Sequence, residues 1–309
     1  MNDSNNIFKI IEELNYEYLI LAANNKVKVN KTKKTKNLLK KKDYQLIFQK
    51  SIKHLPILKN FYQYKLSKMK IINENYYFND LDEKFEDKKI VVYTCITGNY
   101  DSIEDPYIKE DNVDYVIFSN QYIESNIWIV NNIPNSIMKL KDNSLINRYI
   151  KLHPHELFKN KYDYAIYIDG NIRIMSTIKD LPKCINSKTG IAFHKHSARD
   201  DVYNELIACK LIGRAKASSC NKQINNYKKM GVPNNLGLFE CNAFILDLKN
   251  SNAEKIFEEW WKDFINEPTK RDQPSLMYSL WKNNFKSDDV GILGNNVYLN
   301  PKFRIKSHR

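Results

Sequence analysis

The sequence predicts an α/β domain on a mixed, mostly parallel Rossmann-type sheet flanked by helices, with a basic helical extension in front of it. Three observations lead there. From Lys88 onward, short β-branched apolar runs alternate with stretches whose apolar residues fall three and four apart. Before that point only the helical spacing is found, together with most of the charge excess. With 42% hydrophobic and 12% aromatic residues, the chain has the composition of a folded protein.

Taken in order, Asn5 to Ala22 places Ile7, Phe8, Ile10, Ile11, Leu14, Tyr18 and Leu19 on one helical stripe. Lys26 to Lys42 is rich in Lys and poor in acids. From Asp43 to Lys70 the spacing of Leu46, Ile47, Ile52, Leu55 and Leu58 again predicts helices, interrupted at Pro56. After the acidic stretch Asp80 to Asp87, strands are predicted from Ile90 to Thr94, Tyr115 to Phe118 and Trp128 to Val130. A helix from Asn143 to Phe158 and a strand from Tyr164 to Ile168 follow. Next come a strand from Ile191 to Phe193, helices from Val202 to Ile212 and Cys220 to Met230, and a strand from Ala243 to Leu246. Helices from Ala253 to Ile265 and Asp272 to Asn283 complete the series. Strands separated by helices build a largely parallel sheet. The expected division is an extension over residues 1–87 and the α/β domain over 88–309, with no internal repeat.

The formal charge of +13 invites a nucleic-acid reading. Its distribution argues against one: residues 1–70 hold 16 Lys against 5 acidic residues, and the rest of the chain is nearly neutral. The extension reads equally as helices packed on the main domain or as a contact with an anionic membrane surface. No secretory signal and no run of about 18 apolar residues is present. The five cysteines are scattered and never spaced C-x-x-C, which predicts a reducing compartment and no zinc site.

Ligands of open α/β sheets bind beyond the carboxyl ends of strands, so residues after predicted strands are the candidates. Thr97-Gly98-Asn99-Tyr100-Asp101 is a plain turn, or a loop whose Gly admits a ligand, whose Tyr stacks on a base and whose Asp accepts from a ribose. Asp169-Gly170-Asn171 is a β-turn, or an oxygen pair able to hold a divalent cation and a diphosphate. The helix before it carries Arg148, Lys151 and His155 as cations for such a diphosphate. Glu240 to Asp247 leads polar residues into a strand. Arg271-Asp272-Gln273 opens a helix, with Asp272 either an N-cap or a functional carboxylate.

In their joint order these pieces resemble nucleotide-sugar glycosyltransferases of the GT-A fold. More closely, they resemble the glycosyltransferase-like domain family associated with plant mucilage polysaccharide synthesis and its bacterial relatives. The matching pieces are Tyr93 to Asp101; Arg148 with Lys151, Pro154 and His155; Tyr162 to Ile172; His196 with Arg199, Tyr203 and Glu205; Gly237-Leu238 with Glu240; Trp260-Trp261; and Arg271-Asp272-Gln273. They cover roughly residues 88–285. The resemblance implies a nucleoside-diphosphate-sugar donor, a UDP-sugar foremost, and a glycan or lipid-linked glycan acceptor. By the same likeness Thr97, Gly98, Asn99, Tyr100 and Asp101 would meet base and ribose, and Arg148 with Lys151 the diphosphate. Asp169, Gly170 and Asn171 would form the metal turn for Mn²⁺ or Mg²⁺. Asn242, Asp272 and Gln273 would face sugar and acceptor, with Asp272 the best candidate for a base, and His196, Arg199, Glu240 and Arg271 would hold phosphate or acceptor.

Asn171 departs from the second carboxylate usual at its position. An amide oxygen is the weaker ligand for a hard cation, so Asp169, phosphate oxygens and His308 would carry more of the site. That departure keeps open a non-catalytic nucleotide- or sugar-binding homologue, beside a nucleotidyl- or phosphotransferase. The full expectation is a cytoplasmic glycosyltransferase of bacterial surface polysaccharide synthesis, capsule or lipopolysaccharide, seated on the inner face of the membrane through residues 1–70.

Overall fold

The computed structural model describes residues 87–196, 199–211, 213–294 and 296–306. The predicted extension, with its helices and membrane contact, and His308 lie outside the described residues. The series runs β1 (Ile90–Ile96), β2 (Val113–Ser119), β3 (Ile129–Asn132), α1 (Asn135–Met138), α2 (Asn143–Leu152), α3 (Pro154–Phe158), β4 (Tyr164–Ile168) and β5 (Ile172–Ile174). It continues with β6 (Ile191–Lys195), α4 (Val202–Leu211), α5 (Ala217–Lys229), β7 (Phe239–Asp247), α6 (Ser251–Asn266), α7 (Asp272–Lys282), β8 (Gly291–Gly294) and β9 (Phe303–Ile305).

A seven-stranded sheet takes the order β3-β2-β1-β4-β7-β6-β8, and β5 pairs with β9 in a small second sheet. Only β7 among the described strands of the large sheet runs against its neighbours, which confirms the mostly parallel expectation. Every residue of β1 is buried, as a strand covered on both faces must be. Val91, Tyr93 and Cys95 join the core beneath α2, α6 and α7, while Ile90, Val92 and Ile96 join the core on the other face. There Leu181, Val297 and Phe303 close the layer.

Several boundaries differ from the expected ones for local reasons. The helix predicted from Asn143 to Phe158 is two helices, because Pro154 disfavours helical backbone at His153 and then starts α3 as its first residue. Strand β7 begins at Phe239, so Glu240 and Asn242 lie within the strand instead of leading into it. Strands β5, β8 and β9, of three or four residues each, were below the length at which alternation can be read. Strand β6 slips register between Phe193 and His194 against both neighbours, a bulge that turns its end.

The topology gathers the site. Strands β1, β2 and β4 are parallel, so their carboxyl ends share one edge, and antiparallel β7 starts at that same edge. With Ile168 opposite Ala243, Asp169 falls beside Asn242, whose carbonyl accepts from the Asp169 N–H at 2.8 Å.

Candidate active site

The loop after β1 is held from two sides. Gly98 and Asn99 both take left-handed backbone, with φ of 64° and 55°, a conformation Gly adopts freely and Asn tolerates. Their N–H groups donate to Asn120 Oδ1 (3.1 Å) and Gln121 Oε1 (2.6 Å), the residues following β2. Thr97 Oγ1 donates to the Asn143 carbonyl at 2.9 Å, so this hydroxyl anchors the start of α2. Tyr100 is 62% exposed, whereas Asp101 is buried. The Asp101 Cβ lies 3.4 Å from where a Gly170 side chain would begin, and Ile96 stands closer still at 2.6 Å. Glycine at 170 therefore lets the turns after β1 and β4 meet.

Helix α2 supplies the charges. Its N-cap Asp142 accepts from Leu145 N, fixing the first turn, and Asn147 Nδ2 ties it to the Cys95 carbonyl of β1 at 2.6 Å. One turn on, Lys151 is fully buried, and its Nζ donates to Asp272 Oδ2 at 2.9 Å. Arg148 Nε stands 3.3 Å from the same oxygen. The Lys151 ammonium also lies 3.7 Å from Asp169 Oδ1 and 4.8 Å from the centre of the Tyr167 ring. Tyr167 donates its hydroxyl to Asp169 Oδ1 at 2.9 Å. Burial opposes ionisation of Asp272, but the charges of Lys151, Arg148 and Arg271 outweigh it and hold the carboxyl well below the usual range.

This changes the part of Asp272. Arg271 occupies the N-cap position of α7, without a side-chain cap, and Asp272 is the first helical residue. Its carboxylate is committed to two cations in a buried place as their counter-ion. Trp260 Nε1 fixes its backbone, donating to the Asp272 carbonyl at 3.0 Å. Gln273 is half-buried beside it, with no side-chain hydrogen bond among the described residues.

The remaining candidates separate into two groups. Asn242 belongs to the site: it neighbours Asp169, and its Oδ1 is buried with no hydrogen-bond partner among the described residues. Arg271 Nε is likewise buried and unpartnered. Asn171 is fastened to the end of the described chain, donating Nδ2 to the Lys306 carbonyl at 2.9 Å and accepting from the Lys306 N–H at 2.8 Å. His196, Arg199 and Glu205 form a cluster of their own. The Arg199 guanidinium pairs with buried Glu205 and lies 3.0 Å from His196 Nε2, so its charge is neutralised there. Glu240 accepts from Val297 N at 3.2 Å and sits opposite His194 across the bulge. His155 is not a cation: burial pushes its pKa down to about 4, and it packs edge-on against Phe257.

Residues the motif reading passed over are Asn120, Gln121, Asn143 and Asn147, and Tyr167 lay within a motif without a role of its own. The first two follow a predicted strand, and the rule that selected Thr97 to Asp101 applies to them equally. Tyr167 stands two residues before Asp169, but its hydroxyl contact is visible only in three dimensions.

A mostly parallel, helix-flanked sheet thus gathers cations and a carboxylate turn at its carboxyl edge, where open α/β sheets hold their ligands. Residues 71–292 match the TOD1/MUCI70 glycosyltransferase-like domain. The chain belongs to that family. No curated protein sequence matches it. Among solved structures it is similar to the bifunctional glycosyltransferase WbbM, at 13% identity over 70% of this chain and 40% of that one, with a TM-score of 0.41. It is also similar to the galactosyltransferase LgtC in complex with donor and acceptor sugar analogues, at 12% identity over 66% and 72% of the two chains, TM-score 0.39. The mannosyltransferase Ktr4p from S. cerevisiae aligns at 11% identity over 71% and 75%, TM-score 0.39. The chain thus spans less than half the length of WbbM.

Proposed function

We propose that this chain transfers a sugar from a nucleoside-diphosphate-sugar donor, a UDP-sugar foremost, to a glycan or lipid-linked glycan acceptor. One observation carries the reading. At the carboxyl edge of β1 and β4, Arg148, Lys151 and Arg271 stand around two carboxylates, Asp272 and Asp169, so the cluster keeps a positive charge in a largely water-excluded place. A diphosphate supplies the missing anion, and charge growing on it as the sugar departs would be stabilised most where solvent screens least. The loop from Thr97 to Asp101 would receive base and ribose, with the exposed Tyr100 ring stacking on the base. Asn242 Oδ1, which lacks a partner among the described residues, would accept from a sugar hydroxyl, and Gln273 would face the same space.

The residues fit a divalent cation in part. Asp169 keeps an oxygen outside the hydrogen bond to Tyr167, with 31% of its side chain exposed, and Asn171 offers an amide oxygen because its nitrogen is the donor to Lys306. No cluster of three His, Cys, Asp or Glu residues suited to a metal is found among the described residues. One carboxylate and one amide suit Mn²⁺ or Mg²⁺ that completes its shell with phosphate oxygens and water. Such a cation would neutralise charge on the departing diphosphate.

A thermal-shift screen of nucleoside diphosphates and their sugars, with and without Mn²⁺, tests the reading. UDP or a UDP-sugar should raise Tm, with a larger rise when Mn²⁺ is present. No shift with any nucleotide would refute the donor site.

The finer reading places the enzyme in bacterial surface polysaccharide synthesis, on the cytoplasmic face of the membrane. The support is the basic extension, whose 16 Lys in residues 1–70 suit an anionic lipid surface. No helix among the described residues is long and apolar enough to cross a membrane. Removing residues 1–42 should reduce sedimentation with anionic vesicles more than it reduces transfer to a soluble acceptor. Equal sedimentation of both chains would exclude the membrane contact.

A further inference from the structure

The loop that leads into α7, residues 267–271, is held from α5 by a buried polar network distinct from the charges described above. Gln223 and Tyr227, one turn apart on α5, are both buried. Gln223 Nε2 donates to Glu267 Oε2, and its Oε1 accepts from the Thr269 hydroxyl at 2.5 Å and the Thr269 N–H at 3.3 Å. Tyr227 Oη contacts Glu267 Oε1 and lies 3.3 Å from the Pro274 carbonyl. Glu267, which follows α6, forms no ion pair among the described residues. The Tyr227 hydroxyl donates to Glu267 Oε1 and accepts from Gln223 Nε2 at 3.0 Å, so both carboxyl oxygens of Glu267 are held from α5.

We infer that Glu267 is a positioning residue: gripped by Gln223 and Tyr227, it fixes the loop so that Arg271 and Asp272 enter α7 against Arg148 and Lys151. Its bearing on transfer rests on the donor-site reading above. Lys270, immediately before Arg271, has a φ of 52°, so the chain turns there through left-handed backbone that needs support from both sides. Burial pushes the Glu267 carboxyl up to about 8, assisted by the Asp263 carboxylate and opposed by the Tyr227 and Gln223 hydrogen bonds and the Lys270 charge. The titratable groups facing it are Tyr227 of α5, Asp263 of α6, Lys270 of the loop, and Tyr278 of α7, which stacks on Tyr227 at 5.0 Å. Asp263 is itself bonded by Ser279 and Lys282. Deprotonation would place an unpaired carboxylate at the loop's anchor.

Trp260 reports on the result, since its indole N–H donates to the Asp272 carbonyl. In the full chain, the Trp260 indole ¹H–¹⁵N signal, assigned with Trp260→Phe, should shift with a midpoint near pH 8. Glu267→Gln should keep the low-pH signal position throughout. The wild-type Tm, relative to that of Glu267→Gln, should fall as pH rises from about 5 to about 8 and level off above. The sign follows because the folded acid keeps a proton that the unfolded chain has already released. UDP affinity of the wild type should weaken roughly fivefold to tenfold between about pH 7 and 9, following the neutral fraction, and that of Glu267→Gln should change less. A wild-type Trp260 signal that stays constant through the titration, or an identical shift in Glu267→Gln, overturns the inference. Failure of UDP to bind at any pH, with the Trp260 signal following the titration, overturns the donor reading and leaves the positioning role standing.

Discussion

Replacing Asp272 by alanine is expected to destabilise the fold by about 3–5 kcal/mol and to abolish transfer. The carboxylate is 5% exposed, 2.9 Å from the Lys151 ammonium and 3.3 Å from Arg148 Nε. Without it, buried Lys151 keeps, among the described residues, Asp169 at 3.7 Å as its counter-ion. A Lys151→Met/Asp272→Leu pair should recover part of the loss, because it removes a buried charge together with its partner. The pH dependence has a defined sign. Burial works against the ionised form, yet Lys151, Arg148 and Arg271 together depress the Asp272 pKa. Its contribution is therefore present above about pH 4, the unfolded value, and disappears as acid protonates the folded state. The wild-type advantage over Asp272→Ala should shrink in acid. Urea titrations from about pH 3 to 7 measure it, and a difference below about 1 kcal/mol at pH 7 would mean that the pair is effectively solvated.

Asp169→Ala is expected to separate chemistry from stability. Water reaches this carboxylate, whose side chain is 31% exposed, and among the described residues it accepts a hydrogen bond from Tyr167. Its loss should cost the fold no more than about 1–2 kcal/mol. Transfer from a UDP-sugar should nevertheless fall on the order of 100-fold or more, since the residue would stand at the diphosphate as its charge develops. Turnover near the wild-type rate would remove Asp169 from the donor site. With the Asp272 result, the two variants tell a carboxylate that builds the site from one that works in it.

Most of the framework was legible in the sequence. Strand β4 has the predicted limits, and the predicted starts of β1, β6, α2, α4 and α7 coincide with the observed ones. Apolar periodicity reports on burial of a whole face, and burial of long elements is what the sheet and helices provide. It fails where an element is too short to repeat, as in β5 and β9, and where a backbone rule intervenes, as at His153 before Pro154. The candidate site was legible to the extent that strand ends mark the ligand edge of an open sheet. The roles of individual residues were not. Thr97, expected at the ligand, also ties α2 to β1, and His155 resembled a cation and is neutral in the core.

The sequence by itself determined the alternation of strands and helices, the order of the motifs along them, and the concentration of charge in the first 70 residues. These depend on neighbours in the chain or on composition. The tertiary structure decided which charges meet. Lys151 and Asp272 are 121 residues apart and share one buried ion pair, and Glu267 is joined to Gln223 and Tyr227 only because α5 packs over the loop before α7. The state and use of an ionisable group depend on its exposure to water and on the charges within a few ångströms. For these residues both were set by long-range packing, which local sequence patterns do not encode.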